Sequence, residues 1–208
     1  MINYFDIGLH KDALEIDMFF KSIKGLDIDY RVYGFEAHPE YAKRISEKHK
    51  NNDKVHIYNL AIWETNGILP LYLANKTGLG NSLFKGKNNV DKKQTIDVQC
   101  VVFSEWLKSN ADLDNINILR FNIEGAELYL IKDLISSGIY KNIDLYLGDN
   151  VGKDIRKCKE IASCCNDYKL MLKEHGINII KFIDWPRSRR AGRIKKLRED
   201  IEALIQNR

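Results

Sequence analysis

In the stretch YFDIGLHKD (residues 4–12), a short apolar strand leads into Asp6, then Gly8, and then a helical pattern. This order is typical of the first turn of a nucleotide-binding α/β domain. Such turns usually carry two or three glycines, which allow the backbone to close on a ligand. Here Gly8 stands alone and bulkier residues fill the rest of the turn. The stretch therefore raises the question of which cofactor the turn accepts.

The rest of the chain alternates short apolar runs with longer helical patterns. This alternation predicts an α/β, Rossmann-like fold, with a mostly parallel seven-stranded sheet, helices on both faces and a C-terminal antiparallel hairpin. The predicted strands span 2–7, 31–37, 55–62, 68–74, 98–103, 116–122, 143–148, 168–173 and 177–183. The last two are expected to form the hairpin. Strand 68–74 is expected to be an edge strand that pairs with 55–62. The predicted helices span 13–23, 39–49, 104–109, 125–136 and about 153–165.

Length and composition predict one domain followed by a tail. The 208 residues, 44% hydrophobic and 30% charged, suit a single well-buried domain over residues 1–184. No signal segment, no membrane-spanning run and no paired-cysteine motif is visible among the four cysteines, so a cytoplasmic protein without membrane insertion is expected.

The sequence of residues 185–208 predicts a basic amphipathic helix at the C-terminal end. Arg187 to Arg198 hold seven basic side chains and no acidic one, and without them the chain has 26 Lys and Arg against 29 Asp and Glu. The apolar stripe of this helix either packs on the domain or pairs with a second copy in a homodimer. Its basic run could contact nucleic acid, an anionic membrane or an anionic glycan, although a solvated helix start is the commoner outcome.

Polar residues follow most of the predicted parallel strands, where ligands bind in such sheets. These residues are Asp6 and Gly8, Glu36 and His38, Trp63 after Ala61, Asn122 and Glu124, and Asp149 and Asn150. Glu36 is placed to accept hydrogen bonds from both ribose hydroxyls of an adenosine ligand, the alternative being a solvated carboxylate at a helix start. The glycine-poor turn disfavours NAD, whose pyrophosphate needs bare backbone amides, and favours S-adenosylmethionine, which has no phosphate.

The segments LRFNIEGAELYLIKDL (119–134), FDIG (5–8), YGFEAHPE (33–40) and NLAIWETNG (59–67) together resemble the FkbM-type S-adenosylmethionine-dependent methyltransferases. The resemblance implies a class I methyltransferase fold that binds this cofactor. It implies that Asp6 and Gly8 lie near the methionine part, Glu36 on the ribose, and Ala61 and Ile62 by the adenine, with Asn122 also at the cofactor. The chain departs from the family pattern at His10 and Asp12, where Asn and Gly are usual, and at Asn122, where Asp is usual.

The segment LGDNV (147–151) resembles the strand end at which catechol-type and macrolide-sugar O-methyltransferases hold magnesium. Oxygen ligands from two strand ends can hold Mg²⁺ or Mn²⁺, which would lower the pKa of a substrate hydroxyl. The candidate ligands are Asp149, Asn150, and one of Asn122 or Glu124. The alternative is that the Asp-Asn pair only caps the next helix.

Methyl transfer to oxygen requires alignment and the removal of one proton. Glu124 or Asp149 is the predicted proton acceptor, and His10 is a second candidate base. The polar loop 75–89 is the expected acceptor contact, through Asn81 and Ser82, with Trp63 as a stacking platform, unless the loop is only solvated.

Together these observations predict an O-methyltransferase assisted by a divalent metal. The resemblance to the FkbM-type family implies that its acceptor is a hydroxyl of a sugar or glycan. One alternative is a catalytically inactive Rossmann-like module that binds a partner through the basic tail. Another is nucleic-acid methylation, which the acidic body of the chain disfavours.

Overall fold

The computed structural model describes residues 1–74, 80–148, 152–182 and 189–207. The strands are β1 (Ile2–Ile7), β2 (Tyr30–Phe35), β3 (Val55–Tyr58), β4 (Ala61–Ile62), β5 (Gly67–Ala74), β6 (Val90–Val101), β7 (Ile116–Phe121), β8 (Leu145–Gly148) and β9 (Ile179–Lys181). The α-helices are α1 (Leu14–Ile23), α2 (Pro39–His49), α3 (Phe103–Asn110), α4 (Glu127–Ser136), α5 (Cys165–Glu174) and α6 (Arg190–Gln206).

Six strands form one parallel sheet in the order β3-β2-β1-β7-β8-β9. Strands β1 and β7 lie at its centre, and every residue of both is buried. Two apolar clusters cover the two faces, one including Phe5, Phe121 and Ile131, the other including Tyr4 and Phe19. The order of strands reverses between β1 and β7, so the switch point of this Rossmann-like fold lies there.

Among the described residues, the predicted number of strands in the main sheet and the predicted pairing of the edge strand are wrong. The main sheet has six strands, because the predicted strand 55–62 breaks into β3 and β4, and β4 belongs to a second sheet in the order β4-β6-β5. Strand β5 pairs with β6 in antiparallel fashion instead of with residues 55–62. Strand β6 also begins earlier than predicted, because its first half is largely solvent-exposed and therefore polar in sequence.

The predicted C-terminal hairpin is also wrong, because residues 168–173 lie in α5 and β9 runs parallel to β8. Tyr168, Leu170 and Leu172 alternate with Lys169, Met171 and Lys173, which mimics a strand. In the structure Tyr168 and Leu172 are buried four residues apart, as on one face of a helix, while Leu170 is 52% exposed. Upstream, the predicted helix at 153–165 is replaced by two short 3₁₀ turns, at Ile155–Lys157 and Ala162–Cys164.

The C-terminal helix α6 packs against α1, where Leu197 and Ile201 are buried in the second cluster. Arg198 also donates hydrogen bonds to the carbonyls of Ser22 and Lys24. Three of its basic side chains form ion pairs one turn apart, Lys195–Glu199, Lys196–Asp200 and Arg198–Glu202. The apolar stripe is thus covered by the chain's own domain, and three of the seven basic side chains of the run are paired within the helix. Across the described ranges, no helix is both long and apolar enough to traverse a bilayer.

Candidate functional site

A cleft with a cavity volume of about 160 Å³ opens at the carboxyl ends of the central strands. Its floor is made where the chain leaves β1, β2 and β7, and backbone hydrogen bonds join these three ends. The N–H of Gly8 donates to the carbonyl of Phe35 (2.9 Å), and the N–H of Asn122 donates to the carbonyl of Ile7 (3.0 Å). The cleft therefore sits at the switch point of the sheet, where ligands of this fold bind.

Gly8 is required by its backbone conformation and by its neighbour. Its φ is +85°, and a Cβ atom at this position would lie 2.3 Å from the carbonyl oxygen of Asn122. A single glycine therefore brings the ends of β1 and β7 together, and the bulkier residues after it do not prevent this approach.

Glu36 lies buried at the end of β2 and lines the cleft. Its Oε2 accepts the backbone N–H of His10 (2.7 Å), and its Oε1 accepts the backbone N–H of His38 (2.8 Å). Burial raises the pKa of Glu36, and the two backbone donors oppose that rise. The carboxylate is thus fixed in place and can accept further hydrogen bonds from a ligand through its remaining lone pairs.

Asp6, which the sequence resemblance assigns to the cofactor, is not among the residues that line the cleft. It is fully buried beneath the first turn, where its Oδ1 accepts Nη1 of Arg120 (2.8 Å). The same guanidinium donates to the carbonyl of Gly8 (2.8 Å) and to Glu15 (2.9 Å). Asp6 therefore supports the turn from below through Arg120, a residue that the sequence analysis did not identify.

The backbone conformation and the contacts of the Glu-Gly-Ala-Glu turn after β7 account for the residues found there. Glu124 has a φ of +58° and Gly125 a φ of +113°, and a Cβ at Gly125 would lie 2.6 Å from Sγ of Cys158. The carboxylate of Glu127 accepts the backbone N–H groups of Ile123 (2.8 Å) and Gly125 (2.6 Å), and burial raises its pKa to about 7. Glu127 thus holds the turn in shape, while Glu124 faces the cleft.

Glu124 is paired with a lysine that the sequence analysis did not identify. Nζ of Lys87 lies 2.5 Å from Oε2 of Glu124, and its side chain is completely buried, whereas that of Glu124 is 23% exposed. Burial and nearby Asp154 raise the pKa of Glu124, and the Lys87 ammonium lowers it. Lysine in a polar, Gly- and Asn-rich loop predicts a solvated side chain, so no feature of the sequence distinguishes Lys87 from its exposed neighbour Lys85.

Residues 80–83, called here the 80–83 wall, line one side of the cleft. The predicted acceptor residues Asn81 and Ser82 both lie in this wall, but their side chains form hydrogen bonds within the protein that fix the wall in place. Oδ1 of Asn81 accepts the backbone N–H of Ala74 (2.9 Å), and Oγ of Ser82 donates to the carbonyl of Glu124 (2.9 Å). Residues 75–79 of the predicted acceptor loop lie outside the described residues.

The other predicted site residues fall into three groups. Ala61, Ile62, Asn122 and His10 line the cleft, and burial lowers the pKa of His10. Trp63 is not among the residues that line it and instead packs against Phe84 and Tyr129, with ring centroids 5.0 and 4.6 Å away. Asp149 and Asn150 lie outside the described residues.

The described residues give no support to the predicted metal site, and two of its four candidate ligands, Asp149 and Asn150, lie outside them. Within the described ranges, no group of three His, Cys, Asp or Glu side chains is arranged to hold a metal ion. Glu124, a predicted ligand, already has a cation against its carboxylate, the ammonium of Lys87. A divalent ion at Glu124 would have to displace this buried charge.

The parallel sheet, the switch-point cleft and the acidic residue after β2 define a Rossmann-like α/β domain whose cleft is placed as in nucleotide-binding domains. A family model, the methyltransferase FkbM domain, matches residues 6–163. The chain belongs to the FkbM methyltransferase family and is thereby a methyltransferase. No curated protein and no solved structure gives a significant match to it.

Proposed function

We propose that this chain is an S-adenosylmethionine-dependent O-methyltransferase that acts on a hydroxyl group of a sugar or glycan. The observation that carries the proposal is the fixed carboxylate of Glu36, which lines a cleft at the switch point of the sheet. A carboxylate held there by two backbone donors suits the two hydroxyls of a ribose. Ala61 and Ile62 supply an apolar side of the same cleft for the adenine ring.

The bound sulfonium cofactor supplies an already activated methyl group, so the protein's tasks are alignment and proton removal. Glu124 is our proposed proton acceptor, because it lines the cleft and is partly exposed. His10 also lines the cleft, and its lowered pKa keeps the imidazole neutral near pH 7, as a base requires. We assign the acceptor to the side of the cleft formed by the 80–83 wall.

The alternative of an inactive binding module depends on the basic tail. Ion pairs within α6 engage three of its basic side chains, which reduces the charge available to a polyanion. We therefore favour the enzyme over the binding module and over nucleic-acid methylation. The domain division at residue 184, a homodimer through α6 and a cytoplasmic location remain predictions.

Glu36→Gln is expected to weaken S-adenosylhomocysteine binding by about 10- to 100-fold, because hydrogen bonds to a charged group contribute about 1.5–3 kcal/mol. Calorimetric titration of the wild type and the variant measures this difference. Glu40→Gln, a matched change at an exposed position of α2, should leave the affinity unchanged. Equal affinity of Glu36→Gln and the wild type would remove the ribose assignment, and no binding by the folded wild type would overturn the proposed cofactor.

Asp149→Ala tests the remaining predicted acid–base residue. If Asp149 accepts a proton or holds a metal, the variant should lose methyl transfer while its affinity for S-adenosylhomocysteine stays within about twofold, since neither role involves the adenosyl group. Titration with Mn²⁺ and with EDTA separates the two roles. Unchanged turnover in the variant would exclude both.

A further inference from the structure

Lys87 is a fully buried lysine whose ammonium lies inside the candidate site. Its Nζ donates to Oε2 of Glu124 (2.5 Å) and to the carbonyl oxygen of Gly80 (2.9 Å). A buried ammonium is costly unless it is paired and hydrogen-bonded, so both partners are needed to keep it there. The Lys87 ammonium thus connects the turn after β7 to Gly80, the first residue of the 80–83 wall.

The 80–83 wall is also held by hydrogen bonds between neutral groups. The backbones of Ser82 and Tyr72 exchange two hydrogen bonds (2.8 and 3.0 Å), and Oγ of Ser82 donates to the carbonyl of Glu124. Gly80 has a φ of +93°, and a Cβ there would lie 3.1 Å from Nζ of Lys87. Because Gly80 has no side chain, the Lys87 ammonium has room to lie beside it.

We propose that Lys87 is the resident cation of this site, replacing a divalent metal at Glu124 and holding the 80–83 wall closed against the bound methyl donor. The inference rests on the proposed function, since it assumes that the cleft binds the adenosyl cofactor. It adds a positioning residue that acts through Glu124 and Gly80. In consequence, cofactor binding does not depend on a divalent metal at Glu124.

The test is calorimetric titration with S-adenosylhomocysteine in Mn²⁺ and in EDTA, together with urea unfolding of each variant. Wild-type affinity should be the same in both buffers. Lys87→Met and Glu124→Gln should each weaken binding about tenfold, and the double variant should lose no more than either single variant, because both changes break one interaction. Lys85→Met, the same change at an exposed position of the same segment, is the matched control and should bind as the wild type does.

The double variant separates a positioning role from a purely structural one. Lys87→Met leaves Glu124 unpaired and should lower the unfolding midpoint, which the double variant should largely recover because no lone charge remains. Affinity should stay low in that double variant. Recovery of affinity together with stability, additive losses, or tightening of wild-type binding by Mn²⁺ that Glu124→Gln abolishes would each overturn the inference. A folded wild type that binds no S-adenosylhomocysteine would instead overturn the proposed function on which it rests.

Discussion

Gly8→Ala is expected to lower the free energy of unfolding by about 3 kcal/mol or more and to abolish S-adenosylhomocysteine binding. A residue with a side chain held at a φ of +85° costs about 1–3 kcal/mol. The new Cβ would also lie 2.3 Å from the carbonyl oxygen of Asn122, a backbone atom that cannot rotate away. The ends of β1 and β7 would have to separate, and these ends form the floor of the cleft.

Gly25→Ala is the matched control for this prediction. Gly25 has a φ of +81°, almost the same as Gly8, but no atom lies within 4 Å of the position that its Cβ would take. It should therefore show only the conformational cost of about 1–2 kcal/mol and bind the cofactor normally. Urea unfolding and calorimetry of both variants measure the difference. Equal losses of stability in the two variants would show that the close approach at Asn122 is unimportant.

The parts of the fold that could be predicted are those in which a local pattern and the tertiary structure agree. The first strand and Gly8, Glu36 after β2 and the Glu-Gly-Ala-Glu turn after β7 are each read from a few adjacent residues. The resemblance to the FkbM family, which the family match confirms, rests on the same segments. Because the carboxyl ends of parallel strands meet at one edge of a sheet, these short segments also predicted that Gly8, Glu36 and Glu124 would share a cleft, although Asp6 lies outside its lining.

The parts that could not be predicted depend on contacts between distant segments. Lys87 and Glu124 are 37 residues apart, and Asp6 and Arg120 are 114 residues apart. No spacing rule joins either pair, although the register that places Asp6 opposite Arg120 follows once β1 and β7 are known to be neighbours. The error in α5 has a different cause, since its apolar residues fit a strand and a helix equally well until burial decides between them.

Arg120→Met is expected to destabilise the fold by about 3–5 kcal/mol, because it removes a guanidinium that pairs with two buried carboxylates. Asp6 lies opposite Arg120 in the register of β1 and β7, and Glu15 reaches the same guanidinium from α1. Methionine preserves much of the side-chain volume, so the loss reports chiefly on the unpaired charges. The Gly8 carbonyl also loses its hydrogen bond from Arg120, which couples this change to the cleft.

The loss of stability in Arg120→Met should increase with pH, and the direction of this dependence follows from the titration of Asp6. Burial raises the pKa of Asp6 from 3.8 to about 7, so between these values the folded state holds a proton that the unfolded state has released. Stability in that window therefore falls as pH rises, and it does so in the wild type as well. Without Arg120 the pKa of Asp6 should rise further, which extends this fall in stability to higher pH at about 1.4 kcal/mol per pH unit.

Urea unfolding of the wild type and Arg120→Met at pH 5 and pH 8 measures this dependence, and the difference between the two proteins should be larger at pH 8. Asp6→Asn is the informative second variant, because it removes the titrating group while it retains a similar shape. It should flatten the wild-type fall in stability between pH 5 and pH 8. If Arg120→Met lost the same stability at both pH values, charge compensation would not be the role of Arg120, and its hydrogen bond to the Gly8 carbonyl would have to account for the loss.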